Sequence, residues 1–292
     1  MAESLIDLIK VLRDRTGAGL MDCKGALLAN DCDLDKATDW LREKGLAKAA
    51  KKADRIAAEG LALTVSCKCG HRVVILEVNC ETDFVAKGEQ FHAFVEAIAQ
   101  NILDNSYATI EEAKEGVKDL VADATVKMGE KFDLRRFEII RRDDEQDIGT
   151  YIHMGGKIAV AVLIDKVNPE LAKGLAMHIA ANNPTYLNLD EVPADVLSHE
   201  REVQREASKQ DPKFASKPAE FQEKILDGKL NKFFSEMSLA NQSYLLDDSK
   251  NVGQILKEAG VSVKKFVRYQ VGEGIEKRHD DFASEVMKEI NK

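Results

Sequence analysis

The sequence predicts an α+β fold: an N-terminal helical module, two α+β core subdomains with small antiparallel sheets, a helical hairpin inserted into the second, and a short helical C-terminal module. Three observations predict it. The apolar period is helical at the start of the chain and becomes strand-like near residue 60. The order hairpin, helix, closing strand then occurs twice, as a repeat of pattern more than of letters. A strongly charged helical pattern interrupts the second copy. The expected boundaries are 1–55, 56–143, 144–270 with the insertion at about 189–238, and 271–292.

In the first module Leu5, Leu8, Ile9 and Leu12 trace one apolar helical stripe. The glycines of "TGAGL" (16–20) break it and "MDCKGALLA" restarts it. Asp33 is placed to N-cap a third helix carrying Leu34, Ala37, Trp40 and Leu41. The Ala- and Lys-rich "EKGLAKAAKKADRIAAEG" that follows has little to fill a core. It reads as a solvated helical linker or as an RNA-binding arm, the latter without the aromatic residues that stack bases.

"LALTVSCK", a turn at "CGH" and "RVVILEVN" form a β-hairpin, with helices expected at about 87–103 and 110–128 and a strand at "KFDLRRFEIIRR". The second copy repeats this with "GTYIHM", a turn at "GG", "KIAVAVLIDK", the helix "PELAKGLAMHIAAN" and the strand "VKKFVRYQV". Within the insertion Val192, Val196, Leu197, Val203, Ile225, Leu226, Leu230 and Phe233 look too sparse for a buried core. They suit a projecting helical hairpin that meets a partner or a second copy of the chain, or serves as decoration.

Composition narrows the function. The chain has 292 residues, 44% of them hydrophobic and 32% charged, which is enough for two or three cores. A net charge of −9 argues against nucleic acid as the main ligand, because phosphate binding needs concentrated positive charge. The start "MAESLIDLIK" lacks the features of a secretory signal, and runs such as "IAVAVLI" are too short to span a bilayer. With five cysteines and no export signal, reduced thiols and a cytoplasmic location are expected.

Searches for catalytic and metal motifs fail one by one. No phosphate-binding "GxxxxGK[ST]" and no "GxSxG" elbow occur, and "GGK" at 155–157 lies in a hairpin turn. "DCDLD" (31–35) imitates a calcium loop, but Lys36 stands at the glycine position and Arg42 at the glutamate position. Cys67, Cys69 and His71 offer soft ligands without a second pair at zinc spacing; they read as strand and turn residues or as a metal site. "HEREV" at His199 has no histidine four residues on. His92 and His178 fall within helical patterns, as core histidines would. The expectation is a protein that acts by contact, with no catalytic residue, cofactor or metal of its own.

Between the first hairpin and its helix lies "NCETDFVAK" (79–87), where Phe84 stands among polar residues. It either anchors the loop inwards or is aimed at something outside the protein. Two stretches, "LRDRTGAGLMDCKGAL" (12–27) and "EVNCETDFVAK" (77–87), closely resemble the signature segments of the bacterial translation elongation factor Ts family. "YIHMGGKIAV", "AMHIAANNP" and "FVRYQVGEGIEK" match in the same order along the chain.

The resemblance implies a UBA-like N-terminal module and a guanine-nucleotide exchange factor for elongation factor Tu, with no membrane or specific nucleic-acid partner and a possible homodimer through the helical arm. It implies that Thr82, Asp83, Phe84 and Val85 intrude near the partner's magnesium site. Arg13, Leu20, Met21 and His153 are implied as partner contacts, with the 272–277 segment and the helix after it as a further clamp. The sequence departs from the family pattern at Leu20, where methionine is common, and at Ala159, where glycine is common.

Overall fold

The computed structural model describes residues 4–276. Of the expected C-terminal module only 271–276 fall within that range; Lys277 and the helix expected after it lie outside the described residues. The described residues form two compact units: 4–139 with Ile152–Ala159 and 269–276, and Ile140–Tyr151 with Val160–Arg268. Helices and small sheets are mixed throughout, so the α+β class stands.

The first unit opens with α1 (Leu5–Thr16), α2 (Leu20–Ala29) and α3 (Leu34–Lys51). The Ser4 hydroxyl accepts the Asp7 amide to start α1, and Gly17, at φ 67°, closes it in the left-handed conformation that glycine adopts without strain. The Asp33 carboxylate accepts the amides of Asp35 and Lys36 and so caps α3, as expected. Leu12, Cys23, Ala26, Leu27, Ala37 and Leu41 form the core of these helices, with Leu5, Leu8, Ile9, Leu34 and Trp40 against it.

β1 (Glu59–Ser66) and β2 (Arg72–Cys80) pair antiparallel from Glu59 opposite Cys80 to Ser66 opposite Val73. The one-turn α4 (Asp83–Ala86), α5 (Glu89–Asn105), α6 (Ile110–Gly116), α7 (Lys118–Met128) and β3 (Asp133–Arg141) follow, and the sheet order is β1-β2-β3. Val74, Leu76, Val78 and Cys80 alternate onto one face of β2 and pack with α5. Phe91, Phe94 and Phe132 meet there with ring centroids 5.3 to 6.0 Å apart.

Two details differ from the sequence expectation. The Ala- and Lys-rich stretch is helical only to Lys51, where it continues α3 without a break and lies on α7; turns follow, and its last two residues open β1. Gly45 permits that approach: a Cβ there would sit 2.8 Å from the Ala122 carbonyl oxygen. The single helix expected over 110–128 is two helices, broken at Val117, with the Tyr107 side chain filling the space beside Gly116.

β4 (Asp147–His153) and β5 (Ile158–Ile164) come next, with Ile152–Ala159 counted in the first unit and the rest in the second, and then α8 (Pro169–Asn182), whose Asn168 cap accepts the Leu171 amide. The arm follows as α9 (Ala194–Lys209), α10 (Pro212–Ala215) and α11 (Ala219–Met237). It is not coreless as expected: Val192, Leu230 and Phe234 are buried together, Phe214 and Leu226 are also buried, and the neighbouring Phe233 is exposed. The sequence reading counted Val192, Leu226 and Leu230 but left out Phe214 and Phe234, whose rings help to fill this core.

Then come β6 (Ser243–Tyr244), β7 (Asp247–Asn251), α12 (Val252–Ala259) and β8 (Val263–Gln270). β8 joins β4 and β5 in the order β4-β5-β8, matching β1-β2-β3 in the first unit. The β6–β7 ribbon and α12, begun by a capping box between Asn251 and Gln254, had no counterpart in the sequence reading. No helix among the described residues is long and apolar enough to cross a membrane.

Candidate partner-binding turn

Strand β2 ends at Cys80, and the backbone at once makes a single helical turn. Thr82 is extended, at φ −126° and ψ 154°, and its hydroxyl accepts the Val85 amide at 3.4 Å, which caps α4. One turn of helix points four consecutive side chains in different directions. Ala86 is buried and Val85 packs against the sheet core. Phe84 points the other way and is 86% exposed. Of the two readings left open by the sequence, the inward anchor is excluded and Phe84 faces solvent.

The turn is held by carboxylates from elsewhere in the first unit. Glu130 accepts the amides of Glu81 (3.0 Å) and Thr82 (3.1 Å) and the Thr82 hydroxyl (2.5 Å). Glu81 answers by accepting the Lys131 amide at 2.7 Å and the Arg55 guanidinium at 3.1 Å. The Lys131 ammonium in turn donates to the carbonyls of Ala53 and Arg55. Charge-assisted bonds of this kind are the strong ones, and here they lock the backbone on which the phenyl ring stands. Sequence reasoning missed Glu81, Glu130 and Arg55, because partners separated by 26 to 50 residues leave no local signal.

Asp83 is not idle: Lys87, one turn on, donates to it at 2.7 Å, and that hydrogen bond holds its carboxyl below the usual range. The Cys80 thiol beneath the turn is buried, which pushes its pKa up to about 12 and leaves it unreactive at neutral pH.

The other expected contact residues lie in the same unit. Leu20 and Met21 begin α2 and are 54% and 72% exposed. Arg13 is exposed on the last turn of α1, three residues of linker away from them. A cleft of about 460 Å³ adjoins, lined by Arg15 and Gly17, by Gln90 and Phe94 of α5, and by Asp123 and Lys127 of α7. His153 ends β4 and is exposed; its carbonyl accepts the amides of Gly156 and Lys157, closing the turn. Next to it Met154, at φ 50°, is 69% exposed, an apolar tip that the sequence reading passed over. That turn is tied to β1, with Ala62 donating to the Gly156 carbonyl at 2.8 Å and Lys157 paired with Glu59 at 2.6 Å. Thus Thr82 to Val85 share one capped turn, Arg13 lies on α1, Leu20 and Met21 open α2, and His153 ends β4. Among the described residues there is no cluster of three side chains able to hold a metal ion.

A family model described as Elongation factor TS matches residues 81–273, starting one residue before Thr82. The chain belongs to the elongation factor Ts family. It is also 46% identical over 296 aligned residues to a curated Elongation factor Ts from Pediococcus pentosaceus (strain ATCC 25745 / CCUG 21536 / LMG 10740 / 183-1w), covering 99% of each chain. Membership of this family makes it a factor of protein biosynthesis, acting in translation elongation. An outward aromatic on a braced turn suits work by contact.

Proposed function

We propose that the chain is a guanine-nucleotide exchange factor for elongation factor Tu, and that Phe84 drives the exchange. The observation that carries this reading is the phenyl ring held 86% exposed by a turn whose backbone is bonded to Glu130. A free protein leaves so large an apolar group in water at a cost. Burying it in an apolar slot of the partner contributes on the order of 2 kcal/mol, available to displace the partner's surroundings of magnesium and phosphate. Magnesium demands near-ideal octahedral geometry, so a small displacement weakens the nucleotide.

Arg13, Leu20 and Met21 grip the partner's nucleotide domain in this reading, and His153 adds a further contact. Asp83 enters the interface already paired with Lys87, so it brings a hydrogen-bonded carboxylate and not a bare charge. No covalent bond is made or broken by the chain. Exchange is coupling between two ligands of one protein: by whatever factor this chain weakens GDP, GDP weakens this chain's own binding.

The test is release of a fluorescent GDP analogue from elongation factor Tu under catalytic amounts of the wild-type chain and of Phe84→Ala. Fast release with wild type and slow release with the variant, both still binding, is the expected result. Binding without acceleration by wild type would leave a passive holder of the partner instead.

A further inference from the structure

The turn between β1 and β2 brings two thiols together in a way that the contact function does not use. Cys67 and Cys69 place their Sγ atoms 2.6 Å apart, inside van der Waals contact. The turn builds this approach. Cys67 donates its amide to the Arg72 carbonyl at 2.8 Å, and Gly70 donates to the Cys67 carbonyl at 2.9 Å. Gly70 sits at φ 75°, a left-handed conformation that lets the chain fold back so tightly. The Arg72 amide donates to the Cys67 sulfur at 3.3 Å. Cys69 is exposed and Cys67 half-buried against the sheet core, so an incoming reagent has access and one sulfur is held in place.

We propose that Cys67 and Cys69 form a reversible dithiol–disulfide site that reacts with low-molecular-weight disulfides of the glutathione class. The supporting chemistry lies in Cys67. Burial raises its pKa, but the Cys69 thiol and the backbone amides of Arg72, His71 and Cys69 outweigh it and bring the value down to about 6. Cys67 is therefore largely thiolate at neutral pH, the nucleophilic form.

In the first step the Cys67 thiolate attacks one sulfur of oxidised glutathione. That forms a Cys67–glutathione disulfide and releases one glutathione thiolate. In the second, Cys69 gives its proton to solvent and attacks the Cys67 sulfur; the Cys67–Cys69 bond forms and the second glutathione thiolate leaves. Two electrons pass from the protein pair to oxidised glutathione; the proton from Cys69 and one from solvent protonate its two product thiolates. A dithiol reductant reverses both steps by the same exchange. Of the other three cysteines, Cys23 and Cys80 are buried, and burial raises both their pKa values, while Cys32 is a single exposed thiol. The site stands at the opposite end of β2 from Phe84, about 25–30 Å along the strand, so it does not rest on the exchange reading.

Lys68 between the two cysteines provides the assay. The native full-length chain is treated with oxidised glutathione, alkylated, digested with trypsin and analysed by mass spectrometry. Cleavage after Lys68 separates 56–68 from 69–72 unless a disulfide joins them. The expected product is this cross-linked peptide pair, without glutathione, forming at least tenfold faster in the native chain than in the same chain unfolded in urea. Cys69→Ser, a substitution at an exposed position, should stop at the glutathione adduct on Cys67. Two results would overturn the proposal: a glutathione adduct that persists on wild-type Cys67, or a native chain that closes no faster than the unfolded one.

Discussion

Glu130 holds Thr82 at two points, its amide and its hydroxyl, and the Glu81 amide at a third, and so fixes the direction in which Phe84 leaves the protein. Glu130→Ala removes the acceptor of both N–H groups and of the Thr82 hydroxyl. The expected cost is about 1 kcal/mol of stability at this partly exposed position. GDP release should slow by about tenfold, the equivalent of about 1.4 kcal/mol. Stopped-flow release and urea unfolding of the same preparation check both. Unchanged release with the clamp removed would show that the turn keeps its shape without Glu130.

Phe84→Ala should show the reverse balance. The ring contributes nothing to the core, so unfolding free energy is expected within about 0.5 kcal/mol of wild type while exchange is lost. A loss of several kcal/mol in chemical denaturation would mean that the ring is buried in solution, contrary to its exposure here.

The direction of Phe84 was only half legible in the sequence. Its polar surroundings raised the question; the residues alone favoured an inward anchor, and only the family resemblance pointed outward before the capped turn placed Val85 and Ala86 inside and Phe84 outside. Elements with strong period and local caps were readable: Asp33 before α3, the β1–β2 hairpin, and Pro169 opening α8. What escaped depended on distance. Glu130 bonds across the fold to the Glu81 amide, Gly45 matters through a helix far along the chain, and the core of the arm is filled by Phe214 and Phe234, which the count of apolar positions left out. The short β6–β7 ribbon lacks the alternation that makes a strand visible.

Two helical glycines should respond oppositely to alanine. At Gly25 the space around a new Cβ is open, so Gly25→Ala should gain up to about 1 kcal/mol from helix propensity. At Gly45 the same atom meets the Ala122 carbonyl and Val126 at 2.8 Å, and Gly45→Ala should lose about 1–3 kcal/mol by forcing α3 off α7. Urea midpoints of the two variants decide it; stabilisation at both would mean that α3 can shift freely.

Glu77 is a fully buried carboxylate with Arg135 at 3.1 Å, Arg136 at 2.6 Å and the Gly272 amide at 2.8 Å. Its removal strands two arginines. Glu77→Ala should destabilise by about 2–3 kcal/mol, less than for a wholly buried pair because both arginines keep some water contact. Thermal unfolding should show this, and Glu77→Gln, which keeps the shape but not the charge, should fall between.

His178 makes the second unit sensitive to pH. Its Nδ1 accepts the Leu245 amide at 3.1 Å, so the neutral ring must donate from Nε2 to Gln242 at 2.9 Å. Burial lowers its pKa below the usual 6.5. A folded-state value below the unfolded one means that the contribution is complete above about pH 6.5 and is lost as pH falls towards the folded value. The stability difference between wild type and His178→Ala should therefore shrink between pH 7.5 and 5. A difference that stays constant over that range would show that the ring is not held neutral.

The continuous α3 also orders events during synthesis. Arg42 pairs with Asp119, a partner 77 residues later in the chain, and the seat of Gly45 lies on the same helix, α7. At about 5–20 residues per second, the ribosome delivers α7 roughly 4–15 s after α3 has been made. Through that interval the first three helices exist with one flank bare, and the N-terminal module reaches its final form only when the hairpin, α5 and α7 have followed it out.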